Sequence, residues 1–313
     1  MKVRWNDEFI TDFVSSVTWS GSASQASRTL SFTVANSPYD VSFQKLNIAL
    51  GDLIYFYDEG KCLFVGVITD MTRTGQIGSL TYTAKDFMHY LLRSTGAYVF
   101  KHSKPEAITE KVCRDIQIKT GTLAKTGKNI KSLIIENDSY YNIILKAYAK
   151  AAQKHGEAYM PVMDGIRLSV ILKGEFSGIT LDSVSDLTSS SYSQTTSDMV
   201  NRVWIVNNKN KMTGHVKDTD SINRYGIYQS IYKKEKGVNA KKAAKKLLTG
   251  ITSSASVEAI GNVACVSGYA INIRDNASGL IGRFYIDSDS HKYENGTHTM
   301  SLQLAFENKM EEV

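Results

Sequence analysis

His291 and His298, seven residues apart, and the nearby carboxylates Asp287 and Asp289 are side chains that could bind a metal ion. Imidazole nitrogen and carboxylate oxygen are both ordinary zinc ligands. Their spacing across a turn is not a ligand pattern, however, so polar residues ordering a hairpin is the reading adopted, with no metal site. Glu157, Asp164 and Glu175 flank a second hairpin signal. Paired carboxylates could run glycoside hydrolysis as acid and base or nucleophile, which leaves a cell-wall hydrolase as the alternative function. Acidic residues beside hairpins are ordinarily solvated turns, and the chain has no GxSxG, HExxH or P-loop match. No catalytic residue and no cofactor site is assigned.

Cys62, Cys113 and Cys265 are odd in number and far apart. They form neither a disulfide framework nor a CxxC metal knuckle, and their apolar flanks predict buried, reduced thiols. The strongest charge run comprises Lys233, Lys234, Lys236, Lys241, Lys242, Lys245 and Lys246. On a predicted helix from Asn239 to Leu248, Lys241, Lys242, Lys245 and Lys246 cover one side, and Ala240, Ala244, Leu247 and Leu248 another. That side is either a solvated face or an electrostatic patch for an acidic neighbour or DNA phosphates. No base-stacking nucleic-acid module is recognisable, so any DNA contact would be non-specific.

These residues sit in a chain of 313 residues, about two domains by length. Apolar residues make up 42% and charged residues 22%, an ordinary globular balance that argues against disorder. Three prolines exclude a proline-rich architecture, and a net charge of +6 permits an acidic partner without requiring one. No apolar run is long enough for a membrane helix, so no stable membrane insertion is expected. The N-terminus lacks a signal-peptide core, so folding in the cytosol is expected. The three tryptophans and 17 tyrosines should serve mostly as core, with some at subunit contacts.

Along the chain the first ninety residues read as strands. Ile10 to Trp19, Arg28 to Val34, Leu53 to Tyr57, Leu63 to Ile68 and Leu80 to Ala84 alternate or form short apolar runs. Asp58-Glu59-Gly60 marks a turn, and a Gly-rich turn precedes Leu80. Asp86 can cap a short helix. The period then changes. Ser103 can cap a helix with Pro105 in its first turn, and Asp138 opens another that carries Tyr141, Ile144, Leu145, Tyr148 and Ala152 and ends at Gly156. Asp164-Gly165 signals a hairpin. From Asp182 to Ser197 the chain is polar and reads as a surface loop or an exposed edge strand. Strands return at Arg202 to Val206, Tyr228 to Tyr232, Ala270 to Ile273, Leu280 to Ile286 and Met300 to Phe306.

The chain also shows a faint self-similarity about 216 residues apart. Gly51-Asp52-Leu53-Ile54 is followed by Gly66, and Gly268-Tyr269-Ala270-Ile271 by Gly282. Each copy closes on an alternating strand, Leu80 to Ala84 or Met300 to Leu304. A glycine inside a strand marks a bulge or sharp bend. Gly51, Gly66, Gly268 and Gly282 are therefore the expected strand-bend and repeat positions of two related barrels.

At the level of family the sequence resembles the baseplate hub proteins of contractile phage tails and R-type bacteriocins, including late-control-D-like proteins and hubs of defective Bacillus-type prophages. The segment Asp220 to Gly226, with Ser221, Ile222, Tyr225 and Gly226, carries the resemblance. So do the lysine-rich helix, Gly268 to Ile273, Gly279 to Ile286, His291, and Gly296 to Leu302. Gly51-Asp52 and Phe64-Val65-Gly66 match more loosely. The resemblance implies a non-enzymatic homotrimer, assembled in the host cytoplasm and then held in the baseplate. It would adapt a hexameric tail tube protein to a trimeric central spike protein and transmit contraction force. A LysM-bearing tail protein and baseplate wedge proteins would be further neighbours. The fold expected is α+β and β-rich, with two tube-like β-barrels and a small mixed α/β domain. The expected divisions are 1–95 for the first barrel, 96–172 for the mixed domain, and 173–313 for a discontinuous second barrel with an inserted lysine-rich helix at 239–249.

Overall fold

The computed structural model describes residues 1–37, 39–40, 42–73, 78–152 and 156–310. The Gly-rich turn before Leu80 falls largely on residues 74–77, which lie outside the described residues, as does His155. Two compact units emerge, one of Met1–Ser190 with Ser256–Val313 and one of Ser191–Ala255.

The larger unit begins with seven strands: β1 (Lys2–Trp5), β2 (Glu8–Phe9), β3 (Val14–Ser22), β4 (Gln25–Ala35), β5 (Leu53–Asp58), β6 (Lys61–Thr72) and β7 (Ser79–Asp86). Their period-2 pattern puts alternate side chains on one buried face. Leu30, Phe32 and Val34 of β4 are buried, as are Leu80, Tyr82 and Ala84 of β7. Phe32 faces Tyr82 across the ladder, and their rings stack at 5.5 Å. A tight turn through Ala23 and Ser24 joins β3 to β4. Glu59 and Gly60, both at positive φ, join β5 to β6, as a two-residue hairpin turn requires.

Next come α1 (Met88–Arg93), β8 (Thr95–Ser103), α2 (Pro105–Asp115), β9 (Lys119–Leu123), β10 (Ile130–Ser139), α3 (Tyr140–Ala152), β11 (Tyr159–Asp164) and β12 (Arg167–Leu172). Their core is drawn from residues 88–170, distinct from the one formed by residues 3–84 with Tyr293. Asp86 accepts from the backbone N–H of Met88, as expected of a cap. Ser103 does not cap α2. It ends β8 and its hydroxyl donates to the Lys101 carbonyl, while Lys104 occupies the cap position without a side-chain bond. At α3 the capping oxygen belongs to Ser139, which accepts from Asn142 N–H at 3.1 Å, and Asp138 braces the turn from one residue earlier.

The chain then runs through β13 (Phe176–Asp182) and β14 (Leu187–Thr195). The predicted loop or edge at 182–197 is mostly strand, and β14 is largely exposed. In the smaller unit, β15 (Arg202–Val206) lies between antiparallel β16 (Met212–Lys217) and parallel β17 (Gln229–Lys233), with α4 (Thr219–Tyr225) in the crossover. The lysine-rich segment forms α5 (Ala240–Lys246), capped by Asn239, with Ala244 packed on Val203, Ile205 and Val216. The insertion is thus larger than the single helix expected at 239–249. Asn201, fully buried, holds this unit together. Its amide donates to the Gly226 carbonyl at 2.8 Å and to Ser221 Oγ at 3.3 Å, and its carbonyl accepts from Tyr228 N–H at 2.8 Å.

The chain re-enters the larger unit through β18 (Thr252–Ile260), β19 (Ala270–Asp275), β20 (Leu280–Glu294) and β21 (Thr297–Ala305). Among the described residues the main sheet runs β14-β18-β21-β20-β3-β4-β7-β6-β5-β1-β2, and β13 and β19 extend it beside β20.

Asn201→Ala removes the side-chain partners of the exposed Gly226 carbonyl and the half-buried Tyr228 N–H and empties a buried position, at an expected cost of about 2 kcal/mol. Hydrogen exchange on the full chain should show faster exchange across 219–233 and unchanged protection in β3 and β4.

Candidate functional site

The site of interest is the pair of β units and the place where they join. Gly51 and Gly268 both adopt φ near +90°. An L-residue with a side chain rarely takes that conformation. Gly51 N–H donates to the Ile68 carbonyl at 2.8 Å, and Ile68 N–H donates back to Asp52 at 2.9 Å. Gly268 N–H donates to the Ile286 carbonyl at 3.1 Å, and Ile286 N–H donates back to Tyr269 at 2.9 Å. Each turn therefore fastens by the same two bonds to the second strand after it, β6 or β20. A six-residue strand comes next in each copy, β5 or β19.

Beyond the turn the likeness continues. The β6–β7 ladder shifts register between Ile68 and Asp70, and the β20–β21 ladder between Ile286 and Ser288. A bulge bends a strand and increases its twist, so both long strands turn the same corner. Their partners bury matched positions, Leu80, Tyr82 and Ala84 in β7 and Met300, Leu302 and Leu304 in β21.

Gly66 and Gly282 are not matched. Gly66 pairs with Ile54, the second residue of β5, whereas Gly282 pairs with Ile273, the fourth residue of β19. The register instead sets Gly66 against Phe284. The connecting turn explains the offset: β5–β6 turns through Glu59 and Gly60, and β19–β20 through residues 276–279. The two glycines also answer different needs. A β-carbon on Gly66 would lie 2.3 Å from the Lys85 carbonyl oxygen, so the ladder excludes a side chain there. Gly282 has open space but φ of +126°.

Within the larger unit, the two β halves meet where β20 pairs with β3, from Ser288↔Ser22 to Glu294↔Ser16. A buried polar cluster marks this junction. Asp289 is fully buried and accepts from both terminal guanidinium nitrogens of Arg28, Nη1 at 3.0 Å, and from the Ser267 N–H at 2.6 Å. Arg28 lies over the Trp19 ring at 4.0 Å. His291, also fully buried, contacts the Cys265 carbonyl through Nε2 and His298 Nε2 through Nδ1, both at 3.1 Å. A carbonyl can only accept, so His291 carries its proton on Nε2 and its Nδ1 accepts from His298. His298 stacks on Tyr293 at 3.9 Å, and the Tyr293 hydroxyl donates to Asp58 at 3.0 Å. Burial pushes the His291 pKa down to about 4. The Asp289 charge opposes that shift, and the Arg28 charge adds to it. Among the described residues no group of three or more His, Cys, Asp or Glu that could hold a metal exists.

Sequence reasoning found His291, His298 and Asp289 but not Arg28, which lies 261 positions from its partner. Lys241, Lys242, Lys245 and Lys246 are exposed on α5, away from the junction in sequence and in a different unit. Glu157 is engaged by the Tyr159 hydroxyl at 2.5 Å, and Asp164 ends β11 at its hairpin. Cys113 and Cys265 are buried, but Cys62 is exposed, because it sits beside the β5–β6 turn at the rim of the sheet.

A family model described as YqbQ-like matches residues 17–305. The phage-like element PBSX protein XkdQ of Bacillus subtilis (strain 168) is 28% identical over 322 residues, covering 97% of this chain and 96% of that one. Among solved structures, the 43 kDa tail protein of prophage MuSo2 from Shewanella oneidensis superposes with a TM-score of 0.71 at 13% identity, covering 97% of each chain. The E. coli c3393 protein is described as a type VI secretion component with structural similarity to the T4 tail proteins gp27 and gp5. It superposes with a TM-score of 0.54 at 9% identity, over 98% of this chain and 75% of that one. The fold is that of β-rich tail proteins.

His291 titrates lower in the folded chain than its unfolded value near 6.5. Its stabilising contribution is complete above about pH 6.5 and is lost as pH falls to about 4, roughly 3 kcal/mol in all. Asp86, held by burial up to about 6, works in the opposite direction between its usual value near 3.8 and that pH. The stability gap between the native chain and His291→Asn isolates the histidine. Denaturant titrations should show that gap shrinking as pH falls from 6.5 to 4, and a pH-independent gap contradicts the assignment. Gly66→Ala should cost about 3 kcal/mol through its backbone clash, more than Gly282→Ala.

Proposed function

The chain belongs to the YqbQ-like family, and from that premise we propose that it is the structural hub of a contractile phage tail or R-type bacteriocin baseplate. The role is mechanical, not enzymatic. Two tube-like barrels, one within 1–95 and one within 173–313, flank the mixed domain at 96–172. Three copies form a homotrimer that offers six barrel positions to the hexameric tail tube protein and three to the central spike protein. LysM-bearing and wedge proteins are its other neighbours, and assembly precedes its place in the baseplate.

One observation carries this reading: the reciprocal backbone bonds of Gly51 with Ile68 recur at Gly268 with Ile286. A chain that folds one bent unit twice can present sixfold order from three copies. Axial force then passes through strand ladders and broad subunit contacts, which suit load better than a single site. Obligate contacts of this kind commonly bury more than about 2,000 Å². The α5 lysines face an acidic neighbour or DNA in passage, where only charge is read.

Native mass measurement tests the hub directly, on the full chain alone and in tail particles that carry it. A trimer is expected in the particle. A single copy per particle, or a sixfold ring of this chain, overturns the proposal.

A further inference from the structure

We propose that the smaller unit binds an acidic segment of another protein along the open face of its sheet, with Trp204 as the anchor. The site lies opposite α5 and does not depend on the hub reading.

Charge is divided unevenly along the chain. Of its 37 basic and 31 acidic side chains, residues 191–255 hold 12 and 4, a net of +8, and the rest of the chain nets −2. A field of one sign draws in partners of the other and orients them.

The strand register shows where that charge meets an apolar surface. Side chains alternate between the two faces of a strand. Val203, Ile205 and Val216 lie on the α5 side and pack with Ala244. Arg202 and Trp204 therefore lie on the opposite face, and the Arg202 guanidinium stands 5.7 Å from the centre of the Trp204 ring. Three rows cross this face. Arg202 pairs with Lys217 in the first, Trp204 lies between His215 and Ile231 in the second, and Lys233 pairs with Val206 in the third. His215, Lys217, Ile231 and Lys233 are exposed, Ile231 at 59%. The face thus carries cations at both ends, with a tryptophan and an aliphatic neighbour between them. The four carboxylates of the unit lie outside its strands. Asp198 precedes β15, Asp218 and Asp220 stand at the start of α4, and Glu235 follows β17. Asp218 is engaged there as the α4 cap, accepting from Ser221 N–H.

This arrangement selects the occupant. Rows on one face of a strand repeat every second residue, about 7 Å apart. An extended peptide laid along β15 has the same spacing. A carboxylate then meets Arg202 and Lys217, an apolar side chain two residues on packs against Trp204 and Ile231, and a second carboxylate two residues further reaches Lys233. Arginine pairs carboxylates through two parallel bonds, and tryptophan and arginine dominate the energy of protein contacts. Single-stranded nucleic acid instead needs successive aromatic side chains for its bases to stack on. On this face of β15 the side chains flanking Trp204 are Arg202 and Val206, so a second base finds no ring.

Fluorescence anisotropy on the full chain tests the site, using a labelled peptide with glutamate, serine, phenylalanine, serine and glutamate in that order. Trp204→Ala should weaken binding about tenfold or more. Trp204 is half-buried, so the exposed positions supply independent variants. Ile231→Ser and Lys233→Glu should each weaken binding about fivefold. Replacing Lys241, Lys242, Lys245 and Lys246 together by glutamine should change it no more than about threefold, because those charges lie across the sheet, where salt screens them. A peptide of the same composition with both glutamates at one end should bind more weakly. Equal affinity for that peptide, no binding of either peptide, or binding lost through the α5 variant and kept in Trp204→Ala, Ile231→Ser and Lys233→Glu overturns the site. An oligothymidine that binds more tightly than the peptide, and loses that affinity in Trp204→Ala, overturns the choice of a protein partner.

Discussion

A strand inside a sheet has two edges, and every backbone N–H and carbonyl on them needs a partner or water. That constraint organises this molecule more than any side chain does. β20 runs the length of its unit because it meets β19 at one end, β21 along most of its length and β3 beyond the bulge. The Gly51 and Gly268 turns serve the same demand, since each supplies two backbone bonds at the point where a long strand bends.

At the junction the backbone is joined by charge. Burying Asp289 without a counterion would be very costly, and Arg28 together with the Ser267 N–H satisfies it. A buried ion pair adds little net stability compared with apolar packing, but a broken one is strongly destabilising. Its effect here is to fix which residue of β20 lies beside which residue of β3. The neutral His291–His298 pair and the Trp19 face close the cluster against water.

Much of this was legible from alternation and turn residues. The strands at 28–34, 53–57 and 80–84, the Asp164-Gly165 hairpin and the lysine-rich helix all follow from local chemistry, which periodicity reports. The likeness of the two turns was legible because Gly51 and Gly268 meet a backbone need that few other residues can meet. Gly66 and Gly282 looked equivalent because spacing along the chain cannot register a change in turn length. Arg28 and Asn201 were invisible for a different reason: an ordinary arginine in a strand and an asparagine before one show no periodic signal, and their partners are set by tertiary contact alone. Cys62 misled because apolar neighbours in a strand say nothing about which face, or which end, a residue occupies.

Asn36 N–H bonds the Gly78 carbonyl and Gly261 N–H the His298 carbonyl, both at 2.9 Å, which sets β18 against β4 and β14 against β3; the short link through Ala23 and Ser24 then has as its counterpart residues 196–251, most of the smaller unit. A hairpin tip that holds two residues in one copy and an entire folded body in the other is a natural grafting point. Lineages could exchange what hangs there while the ladders on either side stay the same. Variation in what different particles attach to would then concentrate at one address in the chain, leaving the mechanical framework free to stay constant.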